Sequence, residues 1–105
     1  MMFFLVGCAS SLYPEYALTK KYPQNVPNLD LQIVNDTTGV ITQREDESIK
    51  QDFGFVKRKR HFLIITYIDD TNSLVSLKKG DTVVYYKKEL YLINEKNKLI
   101  FNKKE

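Results

Sequence analysis

The chain has 105 residues, 43% hydrophobic and 28% charged, which is one domain's worth of ordinary globular composition and excludes wholesale disorder. Its 16 basic and 13 acidic residues leave a net charge of +3, too small and too interleaved to mark a nucleic-acid binder. A single cysteine, Cys8, excludes an intramolecular disulfide and a cysteine metal site, and no apolar run approaches the ~18 residues that a spanning helix needs.

The first element in chain order is the uncharged run MMFFLVG, followed by Cys8 and by the polar Ser10 and Ser11. A secretory signal carries a basic start, an apolar stretch of ~7–15 residues and small residues at the cut. Here the apolar stretch is short and the basic start is missing. The junction Leu5-Val6-Gly7-Cys8 resembles the lipobox of bacterial lipoproteins: a branched apolar residue, a small or branched one, a small one, then cysteine. That resemblance implies diacylglycerol transfer to the Cys8 thiol, cleavage between Gly7 and Cys8, and a lipid-anchored N-terminus in the bacterial envelope. With Ala9 rather than Asp after the cysteine, it further implies the outer membrane, with the domain in the periplasm or on the cell surface. The missing basic start is expected to lie upstream, with residues 1–7 the tail of a longer signal. One acyl chain holds a protein only marginally, whereas the two or three on a lipoprotein cysteine hold it stably.

Residues 8–28 are expected to form a tether, because Pro14, Pro23 and Pro27 each favour extended backbone before them and remove a donor. From residue 29 to 105 the pattern is β. Leu29, Leu31 and Ile33 alternate with Asp30 and Gln32, as in a half-buried strand. GVITQRE follows after a turn-like NDTTG, and Phe62–Ile68 reads as the strongest strand, covered on both faces. LVSL, TVVYYKK, LYLIN and KLIFN are then joined by short Lys-rich turns, which favour antiparallel neighbours. Gly80 is expected at a positive φ in the tightest of them. The sum is an all-β fold, a small antiparallel sandwich or barrel of about six to seven short strands behind an extended N-terminal tether. The lysines of the last third (Lys78, Lys79, Lys87, Lys88, Lys96, Lys98, Lys103 and Lys104) would lie on one face and blunt pairing at a sheet edge.

Few residues point to chemistry. Lys57-Arg58-Lys59-Arg60-His61 is the densest basic cluster, suited to phosphate, anionic headgroups or an acidic partner. In a strand, successive side chains alternate faces, so the run makes a compact patch only if it bulges or loops. Phe53, Phe55 and Phe62 flank it and suit a core as well as a stacking surface. Tyr85 and Tyr86 must face opposite ways, and Tyr86 joins Lys57, Arg58, Lys59 and Arg60 as the candidate binding patch. The acidic pairs lack calcium-loop spacing, and His61 has no nucleophile-elbow sequence beside it. No catalytic residue, metal or cofactor is therefore expected. The sequence predicts a non-enzymatic, protein-binding envelope lipoprotein, an adaptor in an assembly such as a secretion machine. Its partners would be the lipid bilayer through acylated Cys8 and another envelope protein, with no nucleic acid and no small-molecule substrate. An inhibitor or exclusion lipoprotein is the alternative, an envelope hydrolase lacks a catalytic set, and a small nucleic-acid-binding barrel stands only without the signal.

Overall fold

A computed structural model describes residues 14–67 and 74–104. Residues 1–13 lie outside it, so the lipobox residues Leu5 to Cys8 and the expected cleavage site do too. Eight antiparallel strands run in sequence order and close on themselves: β1 (Glu15–Tyr22), β2 (Leu29–Ile33), β3 (Thr38–Gln43), β4 (Asp46–Arg58), β5 (His61–Tyr67), β6 (Thr82–Tyr86), β7 (Glu89–Ile93) and β8 (Lys98–Lys103). Every strand pairs with its chain neighbours, and β1 pairs with β8 from Tyr16 opposite Lys103 to Tyr22 opposite Lys98. The short connections expected from the sequence are therefore the reason for an up-and-down barrel.

Two expectations are corrected by this arrangement. The domain does not begin at residue 29: residues 15–22, expected within the tether, are a stave of the barrel and supply its closing seam. The β5 strand is not covered on both faces either. Phe62 and Ile64 point inward and are buried, whereas Ile65 on the outer wall is exposed.

The inside is packed with apolar side chains. Leu29, Ile41, Ile64, Val83, Leu90, Leu99 and Phe101 have no exposed surface, and Leu31, Phe53, Phe55 and Leu92 almost none. Alternation puts one residue in two into this core, and it is broken where bulges interrupt the register, between Leu18 and Lys20 and between Gly54 and Phe55. Gly39 sits under the ring of Phe53, where a Cβ would lie 2.5 Å from the ring's Cζ, so only glycine leaves the ring its place. Gly80 has the expected positive φ, 97°, in a turn closed by the Asp81 amide donating to the Lys78 carbonyl.

Because the strands alternate in direction, starts of odd strands and ends of even ones share one end of the barrel. That end carries Pro14, residues 34–37, the β4–β5 and β6–β7 hairpins and the end of β8. Backbone bonds run round this rim, from the Ile33 amide to the Pro14 carbonyl, Tyr85 to Arg60, Lys103 to Lys88 and Lys104 to Glu15.

The opposite end is plugged. The described part of the β5–β6 connection folds across it, burying Val75 and Leu77, with Val26 from the β1–β2 connection. Buried Gln51 on β4 holds the plug through three bonds. Its Oε1 accepts from the amides of Leu74 (2.8 Å) and Val75 (2.9 Å), and its Nε2 donates to the Val75 carbonyl (3.1 Å). Asn94 Nδ2 donates to the Ser76 carbonyl at 2.8 Å and to Asp81 at 3.0 Å, tying the same segment to the β7–β8 turn.

Candidate functional site

The unplugged end is a mouth. On β4 the inward series is Phe53, Phe55 and then Lys57, because Lys57 is paired with Phe62 and Phe55 with Ile64, both of which face the interior. A lysine thus occupies the last inward position of β4. Phe55 and Phe62 lie beneath it with ring centroids 4.7 Å apart, and Tyr85 continues the row 5.1 Å from Phe62. Further in, Phe53 stands 6.0 Å from Phe55, so four rings lead from core to rim. Such separations are those of tilted or offset aromatic pairs.

Lys57, Phe55, Phe62 and Tyr85 line a cleft of about 170 Å³, completed by Tyr16, Ile33, Pro14, Asn35 and Asp36. Lys57 Nζ stands 5.9 Å from the centre of the Tyr85 ring, near the outer limit of a cation–π contact. The Tyr85 hydroxyl donates to the Lys59 carbonyl, fixing that ring against the hairpin. The Tyr16 hydroxyl, by contrast, has no hydrogen-bond partner among the described residues. Burial in the cleft, and then the neighbouring Tyr85, raise its pKa above the ordinary tyrosine value, so it stays a neutral donor. Asn35 Oδ1 accepts from the Thr37 amide (2.9 Å) and hydroxyl (3.2 Å), which turns the 34–37 loop over the far lip.

Around the mouth stands a basic collar. The β4–β5 hairpin turns through Lys59 and Arg60, with Arg58 opposite outward-facing His61. Lys87 and Lys88 form the β6–β7 turn, with Lys87 at φ 57°, and Lys103 and Lys104 end the β8 side. Lys104 is engaged, 3.5 Å from Glu15 and 3.2 Å from Asp30. Lys57, Arg58, Lys59, Arg60, Lys87 and Lys103 form no ion pair among the described residues. Among the described residues the acidic groups at this end are fewer: Glu15, Asp36 and Glu89, with Asp30 beside Lys104. The Glu89 carboxyl accepts from the Tyr91 hydroxyl first and Asn102 second, which hold its pKa below the usual carboxylate range; the same bond raises that of Tyr91.

The candidate patch read from sequence is therefore divided by the fold. Lys57 turns into the mouth, Arg58 faces outward, and Lys59 and Arg60 form the tip. Tyr86 lies on the outer wall of the next hairpin, 48% exposed and with Lys87 Nζ 5.3 Å from its ring centre. Tyr85 and Tyr86 face opposite ways, as alternation requires. Phe53, Phe55 and Phe62 are core residues, and Phe55 and Phe62 also line the cleft.

Sequence reasoning missed Tyr16 and Ile33 as partners of this site. It also missed an apolar stripe on the outer wall, where Val56, Ile65, Val84 and Ile93 are exposed, Val84 at 43% and Ile93 at 55%. The signal for the stripe was present in TVVYY and ELYLI, where outward positions carry apolar residues too. The described residues hold no cluster of three or more His, Cys, Asp or Glu that could bind a metal. No family model matches the chain, and neither a curated protein nor a solved structure is found to match it.

Proposed function

We propose that the chain is a lipid-anchored, non-enzymatic binding module of the bacterial cell envelope. It is tethered to the outer membrane through acylated Cys8, with its basic collar turned towards the bilayer and its outer wall offered to another envelope protein. The observation that carries this reading is where the chain enters the barrel. Pro14 lies at the collar end, so a tether running from it to an acylated Cys8 leaves the barrel beside the collar. The six residue steps from Cys8 to Pro14 span at most ~20 Å when fully extended. A collar held that close comes within reach of a charged headgroup layer, whose field decays over ~8 Å at physiological salt. Each Lys or Arg near an anionic surface adds about 1 kcal/mol, so six free cations reinforce an acyl anchor. The apolar stripe along Val56, Val84 and Ile93 points sideways from the barrel axis, where a protein neighbour could cover it.

Intact-mass analysis of the native protein from membranes tests the anchor. A diacylglyceryl adduct on Cys8, lost in Cys8→Ser, is expected; an unmodified chain that still carries Met1 overturns it. Crosslinking from residue 84 or 93 in intact cells tests the outer wall. One stoichiometric assembly subunit supports an adaptor, whereas a single target enzyme replaces it with an inhibitor.

A further inference from the structure

We infer that the mouth cleft is a binding site for a small amphipathic anion, taken apolar end first, with its carboxylate or phosphate held at the lip by Lys57 and Tyr16. The inference does not depend on acylation of Cys8.

Three observations converge on it. The floor is apolar and preformed: Phe55, Phe62 and Ile33 are core residues that the barrel packing already holds. The lip carries donors without partners. Lys57 forms no ion pair and the Tyr16 hydroxyl no hydrogen bond among the described residues, although both stand over the same space. An inward lysine at the end of a Phe-Phe series has no packing role that a methionine or leucine would not fill better, and the tyrosine face at 5.9 Å gives its charge only a cation–π contact near the outer limit of that interaction. Finally, the surrounding potential favours an anion. Arg58, Lys59 and Arg60 follow Lys57 on the same hairpin, against Asp36 as the one carboxylate lining the cleft.

Size narrows the ligand. About 170 Å³ is well below the ~300 Å³ at which drug-sized sites begin. The cleft accommodates a short alkyl or aryl end, and the charged head remains at the rim, where the collar supplies its counter-charges. A free short-chain acid and the single-chain end of a lipid share this chemistry. Grooves at the plugged end differ in kind. The one beside Ser76, Asp81 and Asn94 is lined by groups already bonded to one another.

The test titrates the full chain carrying Cys8→Ser with octanoate, following the aromatic ring and lysine side-chain signals by NMR. Octyl phosphate, acetate, octylamine and 1-octanol are run beside it. Octanoate should shift the Phe55, Phe62 and Tyr85 rings together with the Lys57 methylenes. Octylamine should bind at least tenfold more weakly, and acetate should leave the rings unmoved. Lys57→Met, which keeps the stem and removes the charge, should weaken octanoate about tenfold and leave 1-octanol unchanged, as expected for a charge-assisted bond. Tyr16→Phe should weaken it by a smaller factor. Stronger octyl phosphate than octanoate binding in wild-type points to a lipid source, and the reverse to a free acid. Equal binding of octanoate and octylamine, an unaffected Lys57→Met, or shifts confined to the outer wall each overturns the proposal.

Discussion

The two ends of this barrel solve opposite problems with the same raw material. At the plugged end the described part of the β5–β6 connection is drawn inward, Gln51 satisfies three backbone groups, and Val26, Val75 and Leu77 are buried. At the mouth the described connections are short, and the buried rings of Phe55 and Phe62 with half-buried Tyr85 form the floor of a cleft. Loop length decides the difference. A two-residue turn such as Lys59-Arg60 can present charge but cannot cover a core. Stability should therefore be concentrated at one end and recognition at the other.

The largest expected effect breaks the plug. Gln51→Leu keeps the volume but orphans the amides of Leu74 and Val75, at about 1–3 kcal/mol for each buried group left unpaired, while the Val75 carbonyl keeps the Leu77 amide. A fall of about 3 kcal/mol or more in urea-unfolding stability is expected; a loss below about 1 kcal/mol would show that Gln51 is not the clamp. Next comes Gly39→Ala, near the mouth. Its Cβ would lie 2.5 Å from Phe53 Cζ and would force the ring to move, costing about 1–3 kcal/mol as overpacking does. Such a loss would show that the innermost ring of the mouth is fixed as firmly as the plug.

Substitutions in the collar should separate recognition from stability. Charge removal in Arg58→Gln with Arg60→Gln should leave the unfolding midpoint within about 0.5 kcal/mol. The same pair should lower binding of the Cys8→Ser chain to phosphatidylglycerol vesicles by about fivefold per residue, with no effect on neutral vesicles. Equal binding to both vesicle types would remove the membrane from the collar's role. Smaller still is Lys87→Gly, which relieves a φ of 57° in the β6–β7 turn and should stabilise by about 0.5 kcal/mol after the entropy cost of glycine.

A pH titration sharpens the contrast further. The folded-state pKa of Tyr16 is raised, so its neutral form is favoured by folding. That contribution is complete below the ordinary tyrosine value of about 10 and is lost as pH rises through the higher folded value. Wild-type should lose stability there more steeply than Tyr16→Phe, measured by urea midpoint against pH. For Glu89 the sign reverses. Its lowered pKa gives a contribution present near neutrality and lost as pH falls through the folded value.

How much of this could be read from residues alone depends on which physical signal carried it. The strands from Leu29 to Ile33 and from Thr82 to Lys103 were legible because period-2 alternation is undisturbed there and the connecting turns are short. The β1 strand was not. Its flanking prolines suggest a tether, and the bulge between Leu18 and Lys20 interrupts alternation, leaving Leu18 as its one buried hydrophobic residue. Gln51 was invisible for another reason: its side chain is polar, and only the folded plug gives it partners. The basic hairpin was legible as a tip, but the inward turn of Lys57 depends on register, which one residue of slip would reverse. Tyr16 and Ile33 joined the site through closure of the barrel, which no local pattern encodes.

Closure between β1 and β8 also removes an explanation. The sequence accounts for the lysines of the last third as guards against edge-to-edge pairing, yet a closed wall of described strands has no free edge to guard. Nor do they share a face: Lys78, Lys79, Lys96 and Lys98 lie towards the plugged end, and Lys87, Lys88, Lys103 and Lys104 towards the mouth. A partner therefore finds no end strand of the described sheet to extend, which leaves recognition to side chains, ammonium by ammonium and ring by ring.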